Sequence, residues 1–247
     1  MTEESPHIPE DHEFDEPRMS VLEHLNELRY RLFYSVLAII IFSILSFFMS
    51  RELIELLKLA APAGIKFIQI SPGEVFIVSL KVALYAGIYF ASPVIFYQFI
   101  GFVAPGLRNK EKKYLIPSVF VAFFLFTLGI LFAYFLAMPL ALTFLLSYGA
   151  DVAVNTISIS KYVSFNAAMI FAMGVLFQVP LLLVFLALIN VVNSQKLVDW
   201  WKYVIVAAFV LGAVLTPSPD PFAQSVVAGA TLILYGISIY LIKLIKR

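Results

Sequence analysis

The sequence predicts an all-α, polytopic membrane protein with six transmembrane helices and both termini in the cytoplasm. Three observations carry this reading: the composition, the lengths of the apolar runs, and the distribution of Lys and Arg between them. Of 247 residues, 62% are hydrophobic and 13% charged, with a mean hydropathy of +0.94. An ordinary soluble domain is roughly half apolar and about a quarter charged, so this chain has too few charges to coat a water-soluble fold of its size.

Apolar runs occupy about 30–49, 76–101, 115–147, 162–189, 203–216 and 222–242. At about 1.5 Å per residue, roughly 20 helical residues cross a hydrocarbon core about 30 Å thick. The first four runs meet that length and the sixth nearly does. The fifth, about 14 residues long, covers only about 21 Å before Thr216-Pro217-Ser218-Pro219-Asp220-Pro221 ends it. A hairpin returning from a thinned bilayer is preferred there over a re-entrant loop. With the N-terminus inside, the cytoplasmic segments hold Arg18, Arg29, Arg31, Arg108, Lys110, Lys112, Lys113, Lys196, Lys202, Lys243, Lys246 and Arg247. The outer segments hold only Arg51, Lys58, Lys66 and Lys161, as the positive-inside rule requires. Lys81, near the outer end of the second span, is expected to snorkel outward as an anchor.

Residues 1–18, acidic and interrupted by Pro6, Pro9 and Pro17, read as a disordered tail ahead of one membrane domain spanning 19–247. No basic stretch followed by a short apolar core opens the chain, so no secretory signal is expected. Ser20 and Glu23 fit a capping box. Leu22, Leu25, Leu28 and Leu32 then recur at helical spacing, which predicts an amphipathic helix along the membrane surface before the chain turns in. Glu27 and Arg31 sit four apart on its polar face, a spacing that also suits simple local pairing.

Several function classes are excluded. A net charge of +1 gives no field for nucleic acid. Without cysteine, and with His7, His12 and His24 all ahead of the first apolar run, neither a metal centre nor any other cofactor is expected. No Walker, G-x-S-x-G or H-E-x-x-H run supports catalysis, so no catalytic residue is assigned. Every Asp and Glu falls in a connection or at a span end, which disfavours a small-solute secondary transporter, the alternative reading. An intramembrane hydrolase is disfavoured for want of a histidine in the spans. The polar groups within the apolar runs are Gln98, Gln178 and Gln224, with Thr216 at an edge, and interhelical hydrogen bonding is their default role.

The cytoplasmic face is more informative. His24-Leu25-Asn26-Glu27-Leu28-Arg29-Tyr30-Arg31-Leu32 resembles the opening signature of the TatC family, the multispanning receptor subunit of the twin-arginine protein translocase. The likeness continues through Ser71-Pro72, Ala91-Ser92-Pro93-Val94-Ile95-Phe96-Tyr97-Gln98, Phe102-Val103-Ala104-Pro105-Gly106-Leu107 and Glu111. Beyond these come Phe132-Ala133-Tyr134-Phe135, Phe177-Gln178-Val179-Pro180, and Leu215-Thr216-Pro217 with Asp220 and Gln224, so that about residues 20–245 are covered. The resemblance implies a cup-shaped bundle whose last two helices are too short to cross fully. It implies binding of twin-arginine signal peptides of folded cargo proteins, with export driven by the proton-motive force. Glu27 and Glu111 would receive the arginine pair, Phe102, Pro105 and Leu107 would shape the site, and Arg29 would support it. Gln98 and Gln178 would be polar groups of the membrane interior, with Thr216 and Gln224 docking single-span subunits of TatA/TatB type. The implied assembly is a homo-oligomeric receptor complex in the lipid bilayer of a cytoplasmic (inner), thylakoid or other organellar membrane. The sequence departs from the family pattern at Gln178, where many members carry glutamate, and in the turn 216–221, one residue longer than the commoner form.

Overall fold

The computed structural model describes residues 21–62, 64–103, 113, 115–148, 156–216 and 220–245; the acidic tail 1–18, Ser20 and the turn residues 217–219 lie outside them. The described chain is mostly helical. The first span is α1 (Val21–Phe47), 27 residues without a break. The amphipathic stretch around Leu22–Leu32 is therefore not a separate surface helix but the first turns of the span. No Gly or Pro interrupts residues 21–47, so nothing breaks the i to i−4 hydrogen-bond ladder.

Two elements fill what the sequence left as a connection: α2 (Ser50–Leu59) and the three-residue strand β1 (Lys66–Ile68). The second span is α3 (Glu74–Val103), which continues through Pro93. The third runs from Leu115 to Tyr148 as α4 (Leu115–Phe132), a π turn (Ala133–Ala137) and α5 (Met138–Tyr148). The π turn lies just ahead of Pro139, whose missing N–H would break an α-helical register. After strand β2 (Thr156–Ser158), the fourth span is two helices, α6 (Ile159–Leu176) and α7 (Val179–Leu188). The uninterrupted helix expected over 162–189 is broken at Phe177–Gln178 because Pro180 cannot donate to the preceding turn.

Asn190, in the left-handed region at φ 61, ends α7 as asparagine can. Asn193 Oδ1 accepts from the Lys196 N–H at 2.8 Å to start the short α8 (Ser194–Asp199). The fifth segment, α9 (Trp201–Leu215), has 15 residues, as short as its apolar run implied. The sixth, α10 (Pro221–Ile245), has 25 and is long enough to cross, unlike the short last helix the resemblance implies. Asp220 Oδ1 caps it by accepting from the Ala223 N–H at 2.6 Å, with Pro221 as the first helical residue, where its lack of an N–H costs nothing.

The first two spans run antiparallel. Arg31 of α1 lies opposite Gln98 of α3, and Ser43 opposite Gly87, where a Cβ would stand 2.6 Å from the Ser43 backbone nitrogen. The hairpin reading of the last two helices holds: Gln224 Nε2 donates to the Phe209 carbonyl at 2.8 Å, and the Trp201 and Tyr235 rings meet at 5.7 Å. The largest apolar core joins the π turn, α5, α6 and α10 through Ala137, Met138, Met169, Met173 and Val227.

At the outer end the connections are stitched together. β1 pairs in parallel with β2, Phe67 opposite Ile157. Tyr134 and Tyr162 donate from their hydroxyls to the carbonyls of Leu56 and Leu57, each at 2.7 Å. Glu74 is buried and accepts from the Ile70 N–H at 2.5 Å, the Ser71 N–H at 3.3 Å and the Ser160 N–H at 3.1 Å, and from the Ser158 hydroxyl. Lys81 does not reach for solvent alone; its Nζ donates to Ser164 Oγ at 2.9 Å.

Candidate functional site

At the cytoplasmic end, the first turns of α1 meet the last turns of α3. Positions 24, 27 and 31 fall on one face of α1 because residues three and four apart are neighbours on a helix. Arg31 is the hub. Its Nη2 and Nε both donate to Glu27 Oε1, at 2.6 and 2.9 Å. Its Nη1 reaches the Oε1 and backbone carbonyl of Gln98 on α3, at 3.4 and 3.5 Å. Gly101 leaves room for this: a Cβ there would lie 2.3 Å from Arg31 Nη1, so a larger residue would push the guanidinium out of this position.

The other oxygen of Glu27 is different. Oε2 is buried and, among the described residues, has no hydrogen-bond partner; it faces His24 Nδ1 at 3.8 Å. The imidazole of His24 stacks on Phe102, ring centroids 4.2 Å apart and planes inclined by 16°. A carboxylate oxygen withdrawn from water and left unpaired is costly, and it is a strong acceptor for a cationic N–H donor. Among the described residues, the cluster thus holds one buried anionic oxygen without a hydrogen bond, beside a flat aromatic pair. Among the described residues, no group of three or more His, Cys, Asp or Glu side chains could hold a metal ion.

The structure therefore brings together Glu27, Phe102 and Gln98 of the residues expected from sequence. It places Arg29 on the exposed side of α1, facing away from this cluster. Pro105, Leu107 and Glu111 lie outside the described residues. Gln178 sits at the α6–α7 break, its Nε2 donating to the Ala122 carbonyl at 3.2 Å and to the Gly174 carbonyl at 3.4 Å. Thr216 is buried and donates to the Gly212 carbonyl at 2.8 Å. With Gln224 it forms part of the α9–α10 hairpin, at the end of the molecule away from Glu27.

Sequence reasoning did not assign His24, Arg31 or Gly101 to the site. The i,i+4 spacing gave the Glu27–Arg31 pair, but nothing local announced that Arg31 reaches α3. Glu74 carried a readable signal, since Ser71-Pro72-Gly73-Glu74 has capping-box spacing, and the Ser71 N–H to Glu74 bond is one half of that motif.

Apolar helices of spanning length, joined at one end by a stitched cap and carrying a polar cluster at the other, define a multi-pass membrane protein. The model of the family of Sec-independent protein translocase protein (TatC) matches residues 23–229. A Sec-independent protein translocase protein TatC from Synechocystis sp. is 44% identical over 234 residues, covering 94% of this chain and 91% of that one. The chloroplastic TATC of Oryza sativa subsp. japonica is 43% identical over 235 residues, covering 94% of this chain and 65% of that one. A crystal structure of the twin arginine translocase receptor TatC superposes with a TM-score of 0.80 at 40% identity, covering 91% of this chain and 100% of that one. The chain belongs to the TatC family and is a subunit of the Sec-independent, twin-arginine protein transport system. Its relatives include bacterial and chloroplast proteins, in keeping with an inner or organellar membrane.

Proposed function

We propose that this chain is the receptor subunit of the translocase, binding twin-arginine signal peptides of folded cargo at the cytoplasmic face. The observation that carries the reading is the buried Oε2 of Glu27, which makes no hydrogen bond among the described residues, at the membrane end where the positive-inside pattern places the cytoplasm. Guanidinium is planar and presents several N–H donors in a fixed fork, whereas ammonium is a compact, strongly hydrated point charge. A withdrawn carboxylate oxygen beside an aromatic stack favours the former. Glu111, on the cytoplasmic connection that follows Phe102, would take the second arginine, and Pro105 and Leu107 would shape that connection.

In this reading the chain performs no bond chemistry. Transport is driven by the proton-motive force, and single-span TatA/TatB-type subunits assemble against the α9–α10 hairpin, around a receptor of more than one copy. Gln178 is then a neutral hydrogen-bonding group within the bundle, carrying no proton.

Photocrosslinking of a twin-arginine signal peptide to the protein in membranes tests the assignment. The expected result is crosslinking of the twin-arginine peptide over a twin-lysine version, lost in Glu27→Ala and in Glu111→Ala. Equal crosslinking of both peptides, unaffected by either substitution, would overturn it.

A further inference from the structure

We infer that Arg31 is a positioning residue that occupies one oxygen of Glu27, so that an incoming arginine is read by the other oxygen, Oε2, alone. This deepens the signal-receptor reading and rests on it. Three features make the argument, none of them a property of Glu27 by itself.

First, both Arg31 bonds fall on Oε1, at 2.6 and 2.9 Å, so the internal guanidinium approaches the carboxylate side-on and leaves Oε2, which faces His24 Nδ1 at 3.8 Å, without a hydrogen bond among the described residues. A free glutamate would present both oxygens to a bidentate arginine; this one presents a single acceptor in a fixed direction. Second, Arg31 is itself held from the neighbouring span, by Gln98 and by the notch at Gly101. Its guanidinium is a bracket between α1 and α3, and the position of Glu27 depends on residues of α3 that never touch the ligand. Third, Oε2 faces the His24 ring, which is packed on Phe102 on one side while the side chain is 43% exposed. Because Oε2 itself is buried beside His24, a guanidinium reaches it by displacing the exposed edge of this ring and can then lie against it, whereas an ammonium gains less from such a surface.

Discrimination between arginine and lysine therefore depends on Arg31 as well as on the carboxylate. An unconstrained Glu27 would attract either cation by charge. Held by Arg31, it rewards a donor that can approach one oxygen while lying flat beside it.

The test compares dissociation constants of twin-arginine and twin-lysine signal peptides for the full-length protein in lipid nanodiscs. Wild type, Arg31→Gln, Arg31→Lys, Gly101→Ala, Glu27→Gln and the double variant Glu27→Gln/Arg31→Gln are measured, each checked for an unchanged far-UV spectrum and elution volume. Arg31→Gln is expected to weaken twin-arginine binding about tenfold, the order of one misplaced charge-assisted hydrogen bond, and to compress the preference over twin-lysine. Gly101→Ala should do the same with no change of charge, and Arg31→Lys should restore part of the loss. The double variant should bind no worse than Glu27→Gln, because Arg31 acts through that carboxylate. If Glu27→Gln weakens binding while Arg31→Gln and Gly101→Ala leave affinity and preference at wild-type values, the inference falls and the receptor reading stands. Tighter twin-arginine binding by Arg31→Gln would also overturn it, making Arg31 a competitor for the site. If wild type does not prefer the twin-arginine peptide, the receptor reading itself fails.

Discussion

Gly87→Ala is the sharpest probe of how α1 is held. A Cβ at Gly87 would stand 2.1 Å from Ser43 Oγ and 2.6 Å from the Ser43 backbone N and Cα, whereas ordinary contact begins at 3.4 Å. The hydroxyl can rotate away, but the backbone cannot, so α1 and α3 must separate by about 0.8 Å at this crossing. Overpacking of this kind costs about 1–3 kcal/mol. Replacing glycine by alanine within a helix returns about 1 kcal/mol. The net expectation is a loss of about 0–2 kcal/mol. Thermal unfolding in detergent micelles, followed by far-UV circular dichroism, measures it. Gly229→Ala is the matched control, because nothing lies within 4 Å of a Cβ there and only the helix-propensity gain remains. Gly87→Ala unfolding at or above the Gly229→Ala temperature would refute the close α1–α3 approach.

Gln178→Leu removes both side-chain bonds to the Ala122 and Gly174 carbonyls and should cost about 1–3 kcal/mol. It should affect signal crosslinking less than Glu111→Ala does; a larger effect would make the amide part of the recognition site. Glu74→Gln should lower the unfolding temperature more than Ser158→Ala, because one side chain accepts from four donors and the other supplies one of them; equal shifts would contradict this ranking. Deleting residues 1–18 should leave both signal crosslinking and export at wild-type level, since the described site begins at His24, and loss of export would assign that segment an active part.

What the sequence revealed follows from where each signal is stored. Six apolar runs were legible because spanning a bilayer demands a length that polar residues interrupt, and the shortness of α9 was visible for the same reason. The elements missed (α2, β1, β2 and α8) are three to ten residues long, too short for periodicity to outweigh their surroundings. Pro180 marked the α6–α7 break in plain view, but the run around it is so apolar that hydropathy alone reads straight through. The π turn depends on how Tyr134 and Pro139 fit among their neighbours, which no local pattern encodes. In the site, Glu27 and Phe102 stood within recognisable motifs. The role of Arg31 did not, because its bracket joins residues 67 positions apart through a notch defined by a missing side chain.

The outer cap has a mechanical consequence. Paired strands, two tyrosine hydroxyls and the four-donor Glu74 join the outer connections to one another, whereas among the described residues the cytoplasmic end of α1 meets α3 through the Arg31 guanidinium and the His24–Phe102 pair. Such a molecule is a clothes-peg: the spring lies at the stitched end, and any opening is amplified along the helices to the jaws. A small rotation at Ser43–Gly87 becomes a wide displacement at Glu27, more than three helical turns away. The end that carries Glu27 is thus the one with the longest lever arm, and the stitched end is its fulcrum.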